Sequence, residues 1–217
     1  MFTDKEQIQD ALSRTGRRLA LADAGEFTLL VCGGSALSLA GIIQRPTRDV
    51  DVLGLVKAVE PAVIVAEQLP VEVTRAADLV ALDLGLPSDW LNDAARDVQR
   101  LGLPPGILER AHRLEFGPCL TVLFIGRQDQ VALKLYAAID REMGQRHLKD
   151  LEEVAPTQAE MEAAVHWLLN RETSPQFREA VRFIAEGLGF PKLRTFRSAK
   201  SPAAPRRKKS PGSKRKS

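Results

Sequence analysis

The sequence predicts an α+β fold in which helices flank a small mixed sheet and the C-terminal half is helical. Strand-like and helix-like segments alternate over the first half of the chain, and two strand-like segments at residues 112–126 precede a wholly helical stretch. With 217 residues, 44% of them hydrophobic, the chain is long enough to bury one full core or two small ones.

The first elements alternate between helix and strand. Ile8, Leu12 and Leu19 recur near the helical period, and the apolar run FTLLVCG is typical of a buried strand. RDVDVLG alternates charged residues with valine, which is the pattern of a strand with one polar and one apolar face. The predicted elements are a helix over 4–23, a strand over 27–33, a small-residue helix over 35–41 and a strand over 48–54.

The later part of the chain is predicted to be mainly helical. Strands are expected only on either side of the Gly117-Pro118 turn, and Thr157 with Glu160 has the spacing of a capping box at the start of a helix. The predicted helices are 61–67, 74–85 and 87–102 before these strands, and 129–142, 147–154, 157–170 and 175–189 after them.

Charge divides the chain into an acidic body and a basic tail. Residues 191–217 contain 11 basic and no acidic side chains, so the other 190 residues have a formal net charge of −8. We predict a core over 1–126, a helical part over 127–190 packed on that core, and a disordered basic tail over 191–217, which has too few apolar residues to offset the entropy of ordering. The tail either binds nucleic acid or only solubilises the chain.

Cysteine usage and hydropathy predict a cytoplasmic protein. Cys32 and Cys119 each lie in an apolar run, as buried thiols do in a reducing compartment. No apolar stretch approaches the ~20 residues of a membrane-spanning helix, and acidic residues interrupt the first twenty positions, so we expect neither a membrane segment nor a secretory signal.

The segment VCGGSALSLAGIIQRPTRDVDVLG contains the residues with the clearest chemistry. Gly33, Gly34 and Ser35 form a turn between the predicted strand and helix. Glycines at such a junction let backbone N–H groups approach an anion, the helix N-terminus favours negative charge, and the Ser35 hydroxyl can donate a hydrogen bond. The turn therefore predicts a phosphate cradle.

Asp49 and Asp51 follow this turn on the next predicted strand. Residues two apart on a strand share a face, so both carboxylates are expected on one side while Val50 and Val52 face the core. Mg²⁺ prefers one or two carboxylates together with phosphate oxygens. We therefore expect Asp49 and Asp51 to hold one or two Mg²⁺ ions beside a nucleoside triphosphate.

These residues resemble a known family. GGSALSLAGIIQRPTRDVDVL is similar to the motif of polymerase β-like minimal nucleotidyltransferases, and more narrowly to the GGxAL…RxTxDxDl signature of the AbiEii-like toxin nucleotidyltransferases. VALKLYAAIDREMGQRHLKDLEEV resembles their Lys-bearing helix and the Arg- or Lys-Asp-Leu helix after it. The resemblance implies a nucleotidyltransferase fold over roughly the first 155 residues.

Roles for further residues follow from this resemblance. It implies Gly34 and Ser35 at the nucleotide phosphates, Asp49 and Asp51 on metal, and Lys134 at the triphosphate. Lys134 also stands alone on an apolar helix face, where an ammonium group requires an anionic partner. Arg48 either binds the nucleotide or pairs with an acid. Asp150 is expected to complete the catalytic acids, with Glu115 as the weaker alternative.

The resemblance implies transfer of a nucleoside monophosphate from an NTP to an acceptor. The expected acceptors are an RNA end, such as that of tRNA, contacted by the basic tail, or a protein hydroxyl; small antibiotics are a further class. As a toxin, the protein would have an antitoxin partner. The competing hypothesis is a catalytically inactive nucleotidyltransferase fold that binds nucleotide or RNA, or that serves as a scaffold.

Overall fold

A computed structural model describes residues 1–57, 63–64, 68–139 and 144–197. The strands are β1 (Phe27–Cys32), β2 (Val50–Val56), β3 (Val63–Ile64), β4 (Leu91–Asn92), β5 (His112–Glu115) and β6 (Leu120–Phe124). The α-helices are α1 (Lys5–Leu21), α2 (Gly33–Leu39), α3 (Val71–Leu84), α4 (Ile107–Arg110), α5 (Arg127–Ala137), α6 (Gly144–Val154), α7 (Gln158–Arg171), α8 (Pro175–Gly187) and α9 (Arg194–Arg197), and a 3₁₀-helix spans Ala94–Leu101.

In the described part of the chain, the strands form one six-stranded mixed sheet with the order β3-β2-β1-β6-β5. Strand β1 pairs antiparallel with β2 and parallel with β6, and β5 pairs antiparallel with β6. The short strand β4 lies parallel to the start of β2, with Asn92 opposite Asp51. The α+β class with a mixed sheet flanked by helices is therefore confirmed.

Each face of the sheet is covered by its own helices, because successive side chains of a strand point to opposite faces. Leu29 and Val31 of β1 pack in the core beneath α1 and α3, whereas Leu30 and Cys32 pack in the core that contains α5, α6, α7 and α8. The helical C-terminal part thus shares one core with a face of the sheet. Asp51, opposite Cys32 in the register, lies at the edge of this second core.

Local signals account for the helix ends. Asp4 caps α1 by accepting a hydrogen bond from the Gln7 backbone, and Thr157 with Glu160 forms the predicted capping box of α7. The predicted helices over 4–23, 74–85 and 157–170 and the strands on either side of Gly117-Pro118 are confirmed in type, with small shifts at their ends.

The predicted helix over 87–102 is wrong for residues 91–92, which form strand β4, whereas residues 94–101 form a 3₁₀-helix. Trp90 is fully buried, its Nε1 donates to the Ala77 carbonyl of α3 at 3.0 Å, and its carbonyl accepts from the Val50 backbone at 2.6 Å. These contacts hold the segment against β2 as strand β4, so tertiary packing overrides the helical pattern. The predicted helix over 61–67 also fails at Val63–Ile64, which pair with β2, and its other residues lie outside the described ones.

The predicted disorder of the tail is wrong for its first seven residues. Leu193 is fully buried, and Phe196 packs against the same core. These are the apolar residues in an otherwise basic stretch, and their burial orders the chain as far as Arg197. The remaining predicted tail, 198–217, lies outside the described residues.

Candidate active site

The glycine turn lies against the side chain of Asp51. Gly33 has a φ of +76°, a conformation that residues with a Cβ rarely adopt, and a Cβ at this position would collide with Oδ2 of Asp51. A Cβ at Gly34 would lie only 2.7 Å from Oγ1 of Thr47. The two glycines therefore allow Thr47 and Asp51 to pack directly on the turn, which brings an acidic group to its backbone.

Gln130 of α5 holds the turn from the other side, a contact that the sequence analysis did not predict. Its Oε1 accepts from the Gly33 N–H and its Nε2 donates to the Gly33 carbonyl, both at 3.3 Å. Gln130 is only 1% exposed. A glutamine on the apolar face of a helix requires partners, and this signal was present in the sequence.

Ser35 and Thr47 fix the local backbone. Ser35 is fully buried, and its hydroxyl donates to the Cys32 carbonyl at 3.3 Å. The buried Thr47 hydroxyl donates to the Asp49 carbonyl at 3.4 Å. The structure thus shows structural hydrogen bonds for both hydroxyls, and the role of Ser35 at a nucleotide phosphate stays a prediction.

Asp49 and Asp51 lie close enough to affect each other electrostatically. Both residues are half-buried. Burial first, and then the negative charge of Asp49, raise the pKa of Asp51 from its ordinary value near 3.8 to about 6. The positive charges of Lys134 and Arg146 act to lower this pKa, and so does a hydrogen bond from Asn92. The two predicted metal ligands are therefore brought together, with two cations near them.

Asn92 and Arg146 were missed by the sequence analysis. Asn92 lies on β4 directly opposite Asp51, a position hidden by the incorrect helix assignment of that segment. Arg146 is exposed near the start of α6 and follows residues that the structure does not describe. No sequence signal distinguished Arg146 from other surface arginines, because only the packing of α6 brings it near the acidic pair.

Burial and the neighbouring carboxylates keep the Cys32 side chain in its thiol form. Burial, followed by the charge of Asp51, raises the pKa of its thiol well above the ordinary range. A thiol that resists ionisation is a poor nucleophile. Cys32 is thus a core residue at the edge of the acidic pair, in agreement with its predicted burial.

Asp150 pairs with cations rather than with the other acids. It is 1% exposed, Lys134 Nζ lies 2.6 Å from its Oδ2, and Arg45 donates to its Oδ1. Burial acts to raise its pKa, but the charges and hydrogen bonds of these two cations outweigh burial and lower the pKa. Asp150 therefore positions Lys134, which is itself buried and also affects Asp51.

A third carboxylate does not join the acidic pair within the part of the chain that the structure describes. There, no group of three or more His, Cys, Asp or Glu side chains is arranged to hold a metal ion. The expected completion of the site by Asp150 is not seen, since ion pairs hold that carboxylate. Glu115 lies on β5, at the other edge of the sheet, and pairs with Arg113.

Arg48 lies at the surface. Its guanidinium bonds both carboxylate oxygens of Asp89, at 2.8 and 3.1 Å, and both side chains are 59% exposed. This contact corresponds to the structural pairing considered for Arg48 rather than to nucleotide binding. Arg48 and Asp49 both precede β2, which begins at Val50.

The donor set fits a hard divalent cation. Two partly desolvated carboxylates repel each other, and a bound cation stabilises both in their ionised form. Mg²⁺ commonly binds one or two carboxylates together with phosphate oxygens and water. Asp49 and Asp51 would hold it, beside the backbone of Gly33.

The chain belongs to a nucleotidyltransferase family. The model of the family described as a nucleotidyltransferase of unknown function (DUF6036) matches residues 14–155. This range contains the glycine turn, the acidic pair, Lys134 and Asp150. No curated protein and no solved structure matches the chain. Among the described residues, the helices are too short or too polar to cross a membrane.

Proposed function

We propose that the protein is a Mg²⁺-dependent nucleotidyltransferase that transfers the nucleoside monophosphate of an NTP to an acceptor hydroxyl. One observation supports this above the others: the Asp51 carboxylate lies against the Gly33 backbone, with Asp49 near enough to raise its pKa. The juxtaposition of a glycine turn with paired acids is what binding of a metal-complexed triphosphate requires.

Each residue has a distinct part in this proposal. Asp49 and Asp51 hold Mg²⁺, which when bound neutralises phosphate charge. Gly33 and Gly34 keep the turn free of Cβ atoms so that the phosphates can approach, while Gln130 fixes its backbone. Lys134, oriented by Asp150, supplies positive charge at the triphosphate.

The proposed reaction is a substitution at the α-phosphorus. The acceptor hydroxyl oxygen forms a bond to phosphorus, the bond from phosphorus to the bridging oxygen breaks, pyrophosphate leaves, and the hydroxyl proton is released to water. The narrower resemblance to AbiEii-like toxins favours an RNA end, such as that of tRNA, or a protein hydroxyl as acceptor. It also suggests an antitoxin partner in the cytoplasm.

A transfer assay tests the proposal. Purified protein is incubated with each labelled NTP, MgCl₂ and total RNA or protein extract, beside the Asp49→Ala/Asp51→Ala variant. Asp78→Ala, which removes an exposed acid of α3, is the matched control. We expect label in RNA or protein with the native chain and the control, and none with the double variant. Equal labelling by all three proteins would contradict the proposal.

A second candidate function is nucleotide or RNA binding without catalysis. The ion pairing of Asp150 favours it, because that carboxylate is engaged by Lys134 and Arg45 and does not join the acidic pair. Calorimetric NTP binding that depends on Asp51, together with no transfer to any acceptor class, would identify this function.

A further inference from the structure

A groove beside α7 and α8 forms a second candidate site. It has a volume of about 1070 Å³. Six polar or charged side chains line it, and they define the α7–α8 groove: Glu162, His166, Asn170, Arg178, Lys192 and Arg194. Ala159 and Ala163, one turn apart on α7, leave room between the longer side chains. The groove belongs to helices that do not carry the acidic pair.

The lining of the groove is more basic than acidic, and it joins the acidic body to the start of the basic C-terminal segment. Arg178, Lys192 and Arg194 line it, and Glu162 is the one acidic side chain among the described residues that do so. Three cations against one carboxylate give the groove a net positive charge, to which the basic segment 191–217 contributes Lys192 and Arg194 and the acidic body contributes Arg178. Such a patch favours an anionic ligand.

The walls also carry buried hydrogen-bond donors without acceptors. Nη1 of Arg178 is buried and has no hydrogen-bond partner among the described residues. The same is true of Nε1 of Trp167, which lines an adjoining cavity of about 330 Å³. The two cavities share Ala163, His166 and Asn170. Buried donors normally have partners, and an acceptor oxygen in the groove would supply one to Arg178 once its side chain shifts to reach it.

The position of the groove along the chain indicates a long polyanion. Lys192 and Arg194 flank the fully buried Leu193, which anchors them at the groove. They are also the first two of the 11 basic residues in 191–217. In the sequence, nine further basic residues follow these two, and the summed positive charge of this stretch exceeds what a single nucleotide would neutralise.

We propose that the α7–α8 groove binds the phosphate backbone of single-stranded RNA. Arg178, Lys192 and Arg194 contact phosphates, and Nη1 of Arg178 gains the acceptor that it lacks among the described residues. The choice of RNA rests on the proposed function, in which RNA is an acceptor, and the groove adds where its backbone is held.

Fluorescence anisotropy with a fluorescein-labelled 20-nucleotide RNA tests this assignment in the full chain. We expect Arg178→Gln and Lys192→Gln/Arg194→Gln to weaken binding by roughly tenfold at 100 mM salt, and to reduce the slope of log K against log salt by ~0.7 per lost phosphate contact. Arg113→Gln, which removes an exposed arginine on β5, is the charge-matched control and should bind as the native chain does.

Two further measurements keep the result interpretable. Arg178→Lys keeps the charge and should recover most of the affinity, and thermal unfolding shows whether each variant is folded. Native affinity in folded Arg178→Gln and Lys192→Gln/Arg194→Gln would overturn the assignment. Displacement of RNA by polyglutamate as effectively as by unlabelled RNA, at equal charge, would overturn RNA as the ligand.

The groove and the proposed enzymatic function can fail separately. Asp49→Asn/Asp51→Asn should lose transfer yet bind RNA with unchanged affinity. If the native chain transfers no nucleotide but its RNA affinity falls in Arg178→Gln, the groove stands and the enzymatic proposal fails. If transfer occurs and Arg178→Gln leaves the KM for RNA unchanged, the groove assignment fails alone.

Discussion

Replacing Asp51 by asparagine should stabilise the metal-free protein while abolishing nucleotidyl transfer. Burial and the charge of Asp49 raise the pKa of Asp51 from near 3.8 to about 6. Because one pKa unit corresponds to about 1.4 kcal/mol, an ionised Asp51 lowers the free energy of unfolding by at most about 3 kcal/mol. Partial contact with water reduces this figure.

The pH dependence fixes the sign of the effect. Between pH 3.8 and 6 the folded chain binds more protons at Asp51 than the unfolded chain does, so stability falls as pH rises through this window. Asparagine has no charge to desolvate. The Asp51→Asn variant should therefore be more stable than the native chain by about 2–3 kcal/mol at pH 8 and by less than about 1 kcal/mol at pH 4.

Urea unfolding at pH 4 and pH 8 without divalent cations measures this difference. Asp78→Asn, at an exposed position of α3, is the control and should change stability by less than about 0.5 kcal/mol at both pH values. Adding MgCl₂ at about 100 times its Kd should stabilise the native chain by about 2.7 kcal/mol and leave Asp51→Asn unchanged. A variant no more stable than the native chain at pH 8, or a gain that persists at pH 4, would refute the reasoning.

Three other substitutions probe the rest of the site. Gly33→Ala should destabilise the fold by about 1–3 kcal/mol and abolish NTP binding. Gly41 also has a positive φ but has open space where a Cβ would lie, so Gly41→Ala should cost about 1 kcal/mol and leave NTP binding intact. Urea unfolding measures the stabilities, and calorimetry measures NTP binding. Asp150→Asn should lower the free energy of unfolding at pH 7 by about 3–5 kcal/mol, because Lys134 loses its buried partner. Since the pKa of Asp150 is lowered, the native chain loses this contribution as pH falls through that pKa. An unfolding curve like that of the native chain would contradict the pairing. Arg48→Ala should change the free energy of unfolding by less than about 1 kcal/mol and leave the Kd for NTP unaltered. A marked rise in that Kd would show that Arg48 binds the nucleotide.

Some of the site could be predicted because its signals are local. The GGS turn and the Asp-Val-Asp triplet could be singled out from their spacing, although Asp49 lies just before β2, which begins at Val50. The structure brings Gly33, Asp49 and Asp51 together as that reasoning requires. Lys134 could also be singled out, because a lone ammonium on an apolar helix must have an anionic partner.

Other residues were beyond sequence reasoning. Asn92 was hidden because SDWLND has a helical pattern, and only the burial of Trp90 beneath α3 makes the segment a strand beside Asp51. The sequence also did not identify the anionic partner of Lys134. Whether Asp150 lies beside the acidic pair or beside Lys134 depends on where α6 packs against α5.

The sequence by itself determined the α+β class, the glycine turn and the separation of an acidic body from a basic C-terminal segment, because periodicity, turn chemistry and charge are properties of neighbours along the chain. Only the tertiary structure decided that Asp150 pairs with Lys134 and Arg45, that Gln130 holds Gly33, and that Lys192 and Arg194 line a groove with Arg178. These contacts join residues distant in sequence, and their geometry follows from how the helices pack on the sheet.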